Sequence, residues 1–232
     1  MDRQNFDQVY EVRVFPIQNL EVRAAQNEKP KIAGYAAVYN QESEDLGGFR
    51  EIIEPGFFSE VLSGDVRGLW NHDTNFVLGR TKSGTLRLID DNQGLGFQID
   101  PPENDLIRDM VLMPMQRGDV DQSSFLFAVK RKDTDGANGD EWIEKDDGTY
   151  LRILKPGGCR ELLDVSVVTF PAYTQTSAQA RSMFETIKNQ SAGNPGQEAD
   201  LPESEVESTA LARDDIQRGR LEIEKIKFTN EV

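Results

Sequence analysis

The chain has 232 residues, with 41 acidic side chains against 26 basic ones and a formal net charge of -15. That balance argues against adhesion to nucleic acid or to an anionic membrane through overall charge. One histidine and one cysteine can neither close an internal disulfide nor build the usual nitrogen/sulfur zinc site, no apolar run approaches the roughly 20 residues of a membrane span, and the first residues lack the apolar core of a signal peptide.

A soluble cytoplasmic protein is therefore expected, with no metal, cofactor, nucleic acid or membrane partner. Residues 1–9 read as a loose leader. From Tyr10 to Phe15 the pattern alternates, with Tyr10, Val12 and Val14 on one side and Glu11 and Arg13 on the other, which predicts a strand. Ile32–Tyr39 predicts a second strand and Phe49–Ile53 a third, separated by a polar loop. Glu54–Gly64 reads as a short helix closed by glycine, with Phe57, Phe58, Val61 and Leu62 as its buried stripe.

The stretch Val66–Asp73 follows and holds His72, the only histidine. Leu69 and Trp70 before it, and Phe76 to Leu78 after it, predict a strand that ends at a turn around Asn71, Asp73 and Thr74. Thr85–Ile89 and Leu95–Ile99 flank Asp90-Asp91-Asn92-Gln93-Gly94 as a β-hairpin. Asn104 can cap a helix running to about Gln116, kinked or ended by Pro114 and closed by Gly118. Asp133–Asp140 resembles part of a calcium loop but lacks its bidentate glutamate, so a polar hairpin tip is expected there.

Beyond these, Ser124–Val129, Trp142–Glu144, Tyr150–Leu154 and Leu162–Phe170 predict strands, and 175–188 a helix. Ser191–Glu207 has five acids, two prolines and no basic residue, the composition of a linker; 208–232 suggests a charged, imperfectly amphipathic helix. The expected organisation is thus a leader (1–9), a main domain (10–188), an acidic linker (189–207) and a helical tail (208–232). Many short strands with few helices predict a mainly β (α+β) fold, a β-barrel or curled sheet with peripheral helices.

Histidine is the side chain whose ordinary pKa lies nearest neutrality, so His72 is the first candidate for proton transfer. Ser124 begins an apolar strand, where a hydroxyl could serve as nucleophile once a base accepts its proton. Asp164 interrupts the apolar run Leu162–Ser166, an expensive place for an acid without a partner. Glu161 is the nearby alternative, expected on the other side of the strand. Ser123 and Cys159 are rival nucleophiles, and a carboxylate-metal hydrolase using His72, Asp73 and Asp164 is a competing arrangement.

These residues stand within a longer ordered set: Ala33-Gly34-Tyr35-Ala36-Ala37-Val38-Tyr39, Phe49-Arg50-Glu51, Pro55-Gly56-Phe57-Phe58, Asn71-His72-Asp73, Val77-Leu78-Gly79-Arg80, Gly118-Asp119-Val120, Ser124-Phe125 and Leu162–Tyr173. The set resembles the prohead proteases of tailed bacteriophages, capsid-maturation serine proteases related to herpesvirus assemblin, over about Ile32–Ala180. The resemblance implies an assemblin-like curled β-barrel. It implies His72 as general base and acid, Ser124 as nucleophile, and Asp164 as the group orienting His72, where the family more often has glutamate. It also implies cleavage of scaffold protein, or of the scaffold segment of the major capsid protein, and of the protease itself, inside the assembling prohead in the host cytoplasm. A homodimer is an expectation by analogy with the herpesvirus relatives. A non-catalytic capsid-assembly module of the same fold is the alternative.

Overall fold

The structure is a computed structural model, and it describes residues 10–23 and 29–170. The leader, the helix expected at 175–188, the linker and the tail lie outside the described residues.

Strand β1 (Glu11–Pro16) is followed by β2 (Gln18–Arg23), β3 (Lys31–Val38), β4 (Phe49–Ile53), β5 (Arg67–Trp70), β6 (Asp73–Arg80), β7 (Leu86–Asp90) and β8 (Gly94–Ile99). A helical segment comes next: α1 (Asp105–Ile107), a π-helical stretch (Arg108–Leu112) and α2 (Met113–Arg117). The chain then forms β9 (Gln122–Val129), α3 (Lys132–Asp135), β10 (Asp140–Glu144), β11 (Tyr150–Leu154) and β12 (Cys159–Val168).

The mainly β expectation holds, but the barrel does not close. The strands lie in three open sheets, ordered β1-β9-β12-β5-β6, β10-β11-β4 and β2-β3-β8-β7. Closure needs an unbroken ladder around the ring. Here the chain passes from one sheet to another after Ile17, whose N–H still bonds Asp121 O at 2.8 Å beside β9, while Gln18 already pairs with Tyr35 of β3. β1 therefore pairs with β9, while β2 pairs with β3. β2 is not expected from the sequence: of Gln18-Asn19-Leu20-Glu21-Val22-Arg23 only Leu20 and Val22 are apolar, a short alternation, and both are only partly buried against the core.

Two local expectations change. Residues 54–64 form successive turns rather than a helix, with Phe57 N→Glu54 O, Ser59 N→Gly56 O, Val61 N→Phe58 O and Gly64 N→Val61 O bonds. Pro55 supplies no donor, and Gly56 at φ +85° leaves the helical region. Phe57 and Phe58 are nevertheless fully buried. In the helical segment Asn104 caps as expected, its side chain accepting from Ile107 N at 2.9 Å, and Gly118 closes it at φ +79°. Pro114, which cannot donate to a residue one turn back, follows the π-helical stretch instead of ending the helix.

The core gathers Phe57, Phe58, Phe125 and Phe127 in edge-on and tilted contacts 4.8–5.8 Å apart, with Val165 and Val167 in the same cluster. These residues fix one face of the five-stranded sheet as the inner one. By alternation, Ser124 and Leu126 of β9 point to the other face.

Candidate active site

β5 and β6 meet in a two-residue turn, with Trp70 paired to Asp73 across it. The central residues, Asn71 and His72, have φ of +53° and +56°. A hairpin of this length favours positive φ at both positions, normally met by Asn-Gly. Histidine in place of glycine keeps the turn but puts an imidazole at its tip. Asn71 ties that tip to the end of β12: its N–H donates to Val167 O at 2.9 Å, and its Oδ1 accepts from Thr169 N at 2.9 Å and from Thr169 Oγ1 at 3.2 Å.

β12 lies between β9 and β5. Its register against β9 slips between Leu162 and Asp164, so that Leu163 is an extra residue, a β-bulge. Beyond the bulge Asp164 pairs with Leu126 and Ser166 with Ser124; before it Glu161 pairs with Ala128. Directly paired residues share a face, so Asp164, Ser166 and Ser124 stand together on the outer face of the sheet. The bulge also corrects the expectation for Glu161. Strict alternation would put it opposite Asp164, but the inserted residue returns it to the same face, where it accepts from Tyr10 Oη at 2.8 Å.

On that face the side chains form one hydrogen-bonded line. His72 Nδ1 lies 2.8 Å from Asp164 Oδ1, and His72 Nε2 lies 2.7 Å from Ser124 Oγ. An ionised carboxylate can only accept, so Nδ1 carries the proton and Nε2 is left to accept from the serine hydroxyl. Ser166 Oγ donates to the same Asp164 Oδ1 at 2.6 Å, an interaction the sequence reading missed. The visible signal for it was the two-residue spacing of Asp164 and Ser166 on a strand. Asp164 and Ser166 are buried, the His72 side chain retains 29% of its exposure, and Ser124 retains none.

The rival groups are engaged elsewhere. Ser123 faces the interior, and its hydroxyl donates to Ala36 O at 3.1 Å. Cys159 is buried at the other end of β12, with its thiol on Glu161 O at 3.4 Å and its pKa pushed up by burial to about 12, opposite to what a nucleophile needs. Asp73 does not join His72 and Asp164: its Oδ1 accepts from Asn75 N and Nδ2 in the exposed start of β6. Among the described residues no group of three or more His, Cys, Asp or Glu side chains is arranged to hold a metal ion. The calcium-loop-like stretch contains α3 rather than a hairpin tip, with Asp135 Oδ2 accepting from Arg131 N at 2.8 Å.

A base bonded to a hydroxyl on one side and to a carboxylate on the other is the constellation of nucleophilic acyl transfer, in which the imidazole takes the hydroxyl proton and the carboxylate supports the imidazolium that forms. Comparison with known families finds a match over residues 18–190 to the model of the Caudovirus prohead serine proteases. No curated protein matches the chain. Among solved structures, the chain is similar to the capsid assembly protease of bacteriophage T4, at 12% identity and a TM-score of 0.38, with 71% of this chain and 99% of that one covered.

Proposed function

The chain belongs to the Caudovirus prohead serine protease family, and from that premise we propose that it is an endopeptidase with Ser124 as nucleophile, His72 as general base and acid, and Asp164 as the group that orients His72. His72 Nε2 takes the Ser124 proton as Oγ attacks the scissile carbonyl. The resulting imidazolium, held through Nδ1–H on Asp164, gives a proton to the leaving amine, and water then hydrolyses the acyl-enzyme by the same proton path. The substrates are scaffold protein or the scaffold segment of the major capsid protein, together with the protease's own chain, cut within the assembling prohead.

The observation that carries this reading is the unbroken line Asp164–His72–Ser124, with bonds of 2.8 and 2.7 Å. The full burial of Ser124 favours a second reading, a non-catalytic assembly module of the same fold, because a substrate carbonyl reaches Oγ only after local opening.

Intact-mass measurement of wild type beside Ser124→Ala, each with and without the cognate capsid or scaffold protein, separates the two. The protease reading expects trimming or substrate cleavage by wild type and neither by a folded Ser124→Ala. Uncut protein in every sample, with authentic substrate present, selects the assembly module. Equal cutting by both moves the nucleophile away from Ser124.

A further inference from the structure

The outer face of the five-stranded sheet carries side chains that the acyl-transfer steps leave unused. β1 is the edge strand of that sheet, next to β9. Val14 pairs with Ser124 and Val12 with Leu126. Side chains paired in this way point to one face with Cβ atoms about 4.5–5.5 Å apart. Val12, Val14 and Leu126 therefore stand on the face of Ser124, away from the phenylalanine core, and each keeps part of its surface exposed.

The two flanks of Ser124 differ. Toward β12 the neighbours are Ser166 and Asp164, both buried and bonded to each other. Toward β1 the neighbour is the partly buried Val14, and the sheet ends there. Ser124 is itself fully buried, so a peptide carbonyl meets its Oγ only after local opening, and the β1 flank is the one whose neighbours keep part of their surface exposed. Two residues along β9 from Leu126, the Tyr10 hydroxyl bonds the Glu161 carboxylate across Ala128 and ends the apolar strip. From Ser124 to Ala128 the strand rises about 14 Å, room for one or two side chains.

We infer that Val12, Val14 and Leu126 form a substrate subsite that takes an aliphatic side chain next to the scissile bond, bounded by the Tyr10–Glu161 pair. The inference rests on Ser124 being the nucleophile. The apolar strip matches an aliphatic side chain in chemistry, and its continuity with Ser124 sets that side chain close to the bond that is cut.

The test profiles cleavage sites in a library of proteome-derived peptides by mass spectrometry, using the full chain as wild type, Ser124→Ala and the double variant Val14→Thr with Leu126→Gln. Labelling by a small fluorophosphonate is followed in parallel, because it reports a working Ser124–His72 pair without needing the subsite. Wild type is expected to favour Val, Ile or Leu at one fixed position beside the scissile bond. The double variant is expected to lose that preference by about tenfold while its labelling rate stays near wild type. An unchanged preference in a normally labelled double variant, or a wild type without aliphatic preference, overturns the subsite. If the double variant loses labelling, Val12→Thr, one row from Ser124, replaces it and must show the same direction of change. A wild type that neither cuts nor labels overturns the nucleophile assignment, and the subsite with it.

Discussion

His72 occupies a backbone conformation that costs a residue other than glycine of the order of 1–3 kcal/mol, and what holds it there is Asn71. The Asn71 carboxamide bonds the backbone and hydroxyl of Thr169, so the turn is fastened to the strand that carries Asp164. Asn71→Gly keeps a residue suited to positive φ but removes the fastening. It should lower kcat by about 10- to 100-fold with little change in KM, and steady-state kinetics would show it; a kcat at the wild-type level would mean that the clamp does not position His72. Ser166→Ala removes one of two donors from Asp164 Oδ1. The carboxylate then keeps only the His72 Nδ1 bond on that oxygen and is held less firmly against the imidazole. kcat should fall by several-fold with little change in KM, and a kcat at the wild-type level would mean that Ser166 does not position Asp164.

At the scale of elements, the bulge in β12 decides which acid meets the histidine. Leu163 is the added residue, and it sets the parity of everything after it. Close strand approach is the second determinant. A Cβ on Gly94 would lie 1.9 Å from Ala37 O, so the β3–β8 pairing accepts only glycine there. Gly94→Ala should destabilise the fold by at least about 1–3 kcal/mol, since backbone rather than a pliant side chain must move. Urea denaturation of the variant measures this, and a midpoint equal to wild type would mean that β3 and β8 separate at little cost.

At the scale of the molecule, a buried ion network joins the five-stranded sheet to the three-stranded one. Arg152 of β11 bonds both oxygens of Glu11 on β1, Glu51 on β4 and Asp140 on β10, and Arg13 bonds Glu11 and Glu51. Burial alone would push the Glu11 pKa up, but Arg152 and Arg13 together outweigh it and hold the carboxyl well below its ordinary range. A depressed carboxylate contributes its stability in full above its unfolded pKa, about 4.3, and loses it as pH falls toward the folded value. Arg152→Met takes from Glu11 its main partner and from Glu51 and Asp140 one partner each, and should cost about 3–5 kcal/mol at neutral pH. Because Glu11 is then less depressed, the variant should also show a weaker fall in stability on acidification below pH 4. Urea midpoints across pH 3–7 test both parts; a loss below 1 kcal/mol at pH 7 would remove the network from the account of how the sheets are joined.

Much of this was legible in the residues taken in order. Alternation predicted the strands at 10–15, 85–89 and 95–99, because a half-buried strand must show one face to the core and one away from it, and short apolar runs predicted most of the others. Asn104 and Gly118 marked the ends of the helical segment through capping chemistry that acts within a few residues. A single histidine, a serine at a strand start and an acid inside an apolar run were enough to nominate His72, Ser124 and Asp164. What the chain order could not carry was register. Whether the strands close into a barrel depends on which partner each one finds, and β2, with only Leu20 and Val22 turned to the core, is set by its pairing with β3. The face of Glu161 depends on one inserted residue whose effect is read only against β9. The network around Arg152 joins residues up to 141 positions apart, and the bonds from His72 span 52 and 92. Local composition limits which side chains can do chemistry, but hydrogen bonds of a few ångströms between distant residues exist only once the sheets have set where those side chains stand.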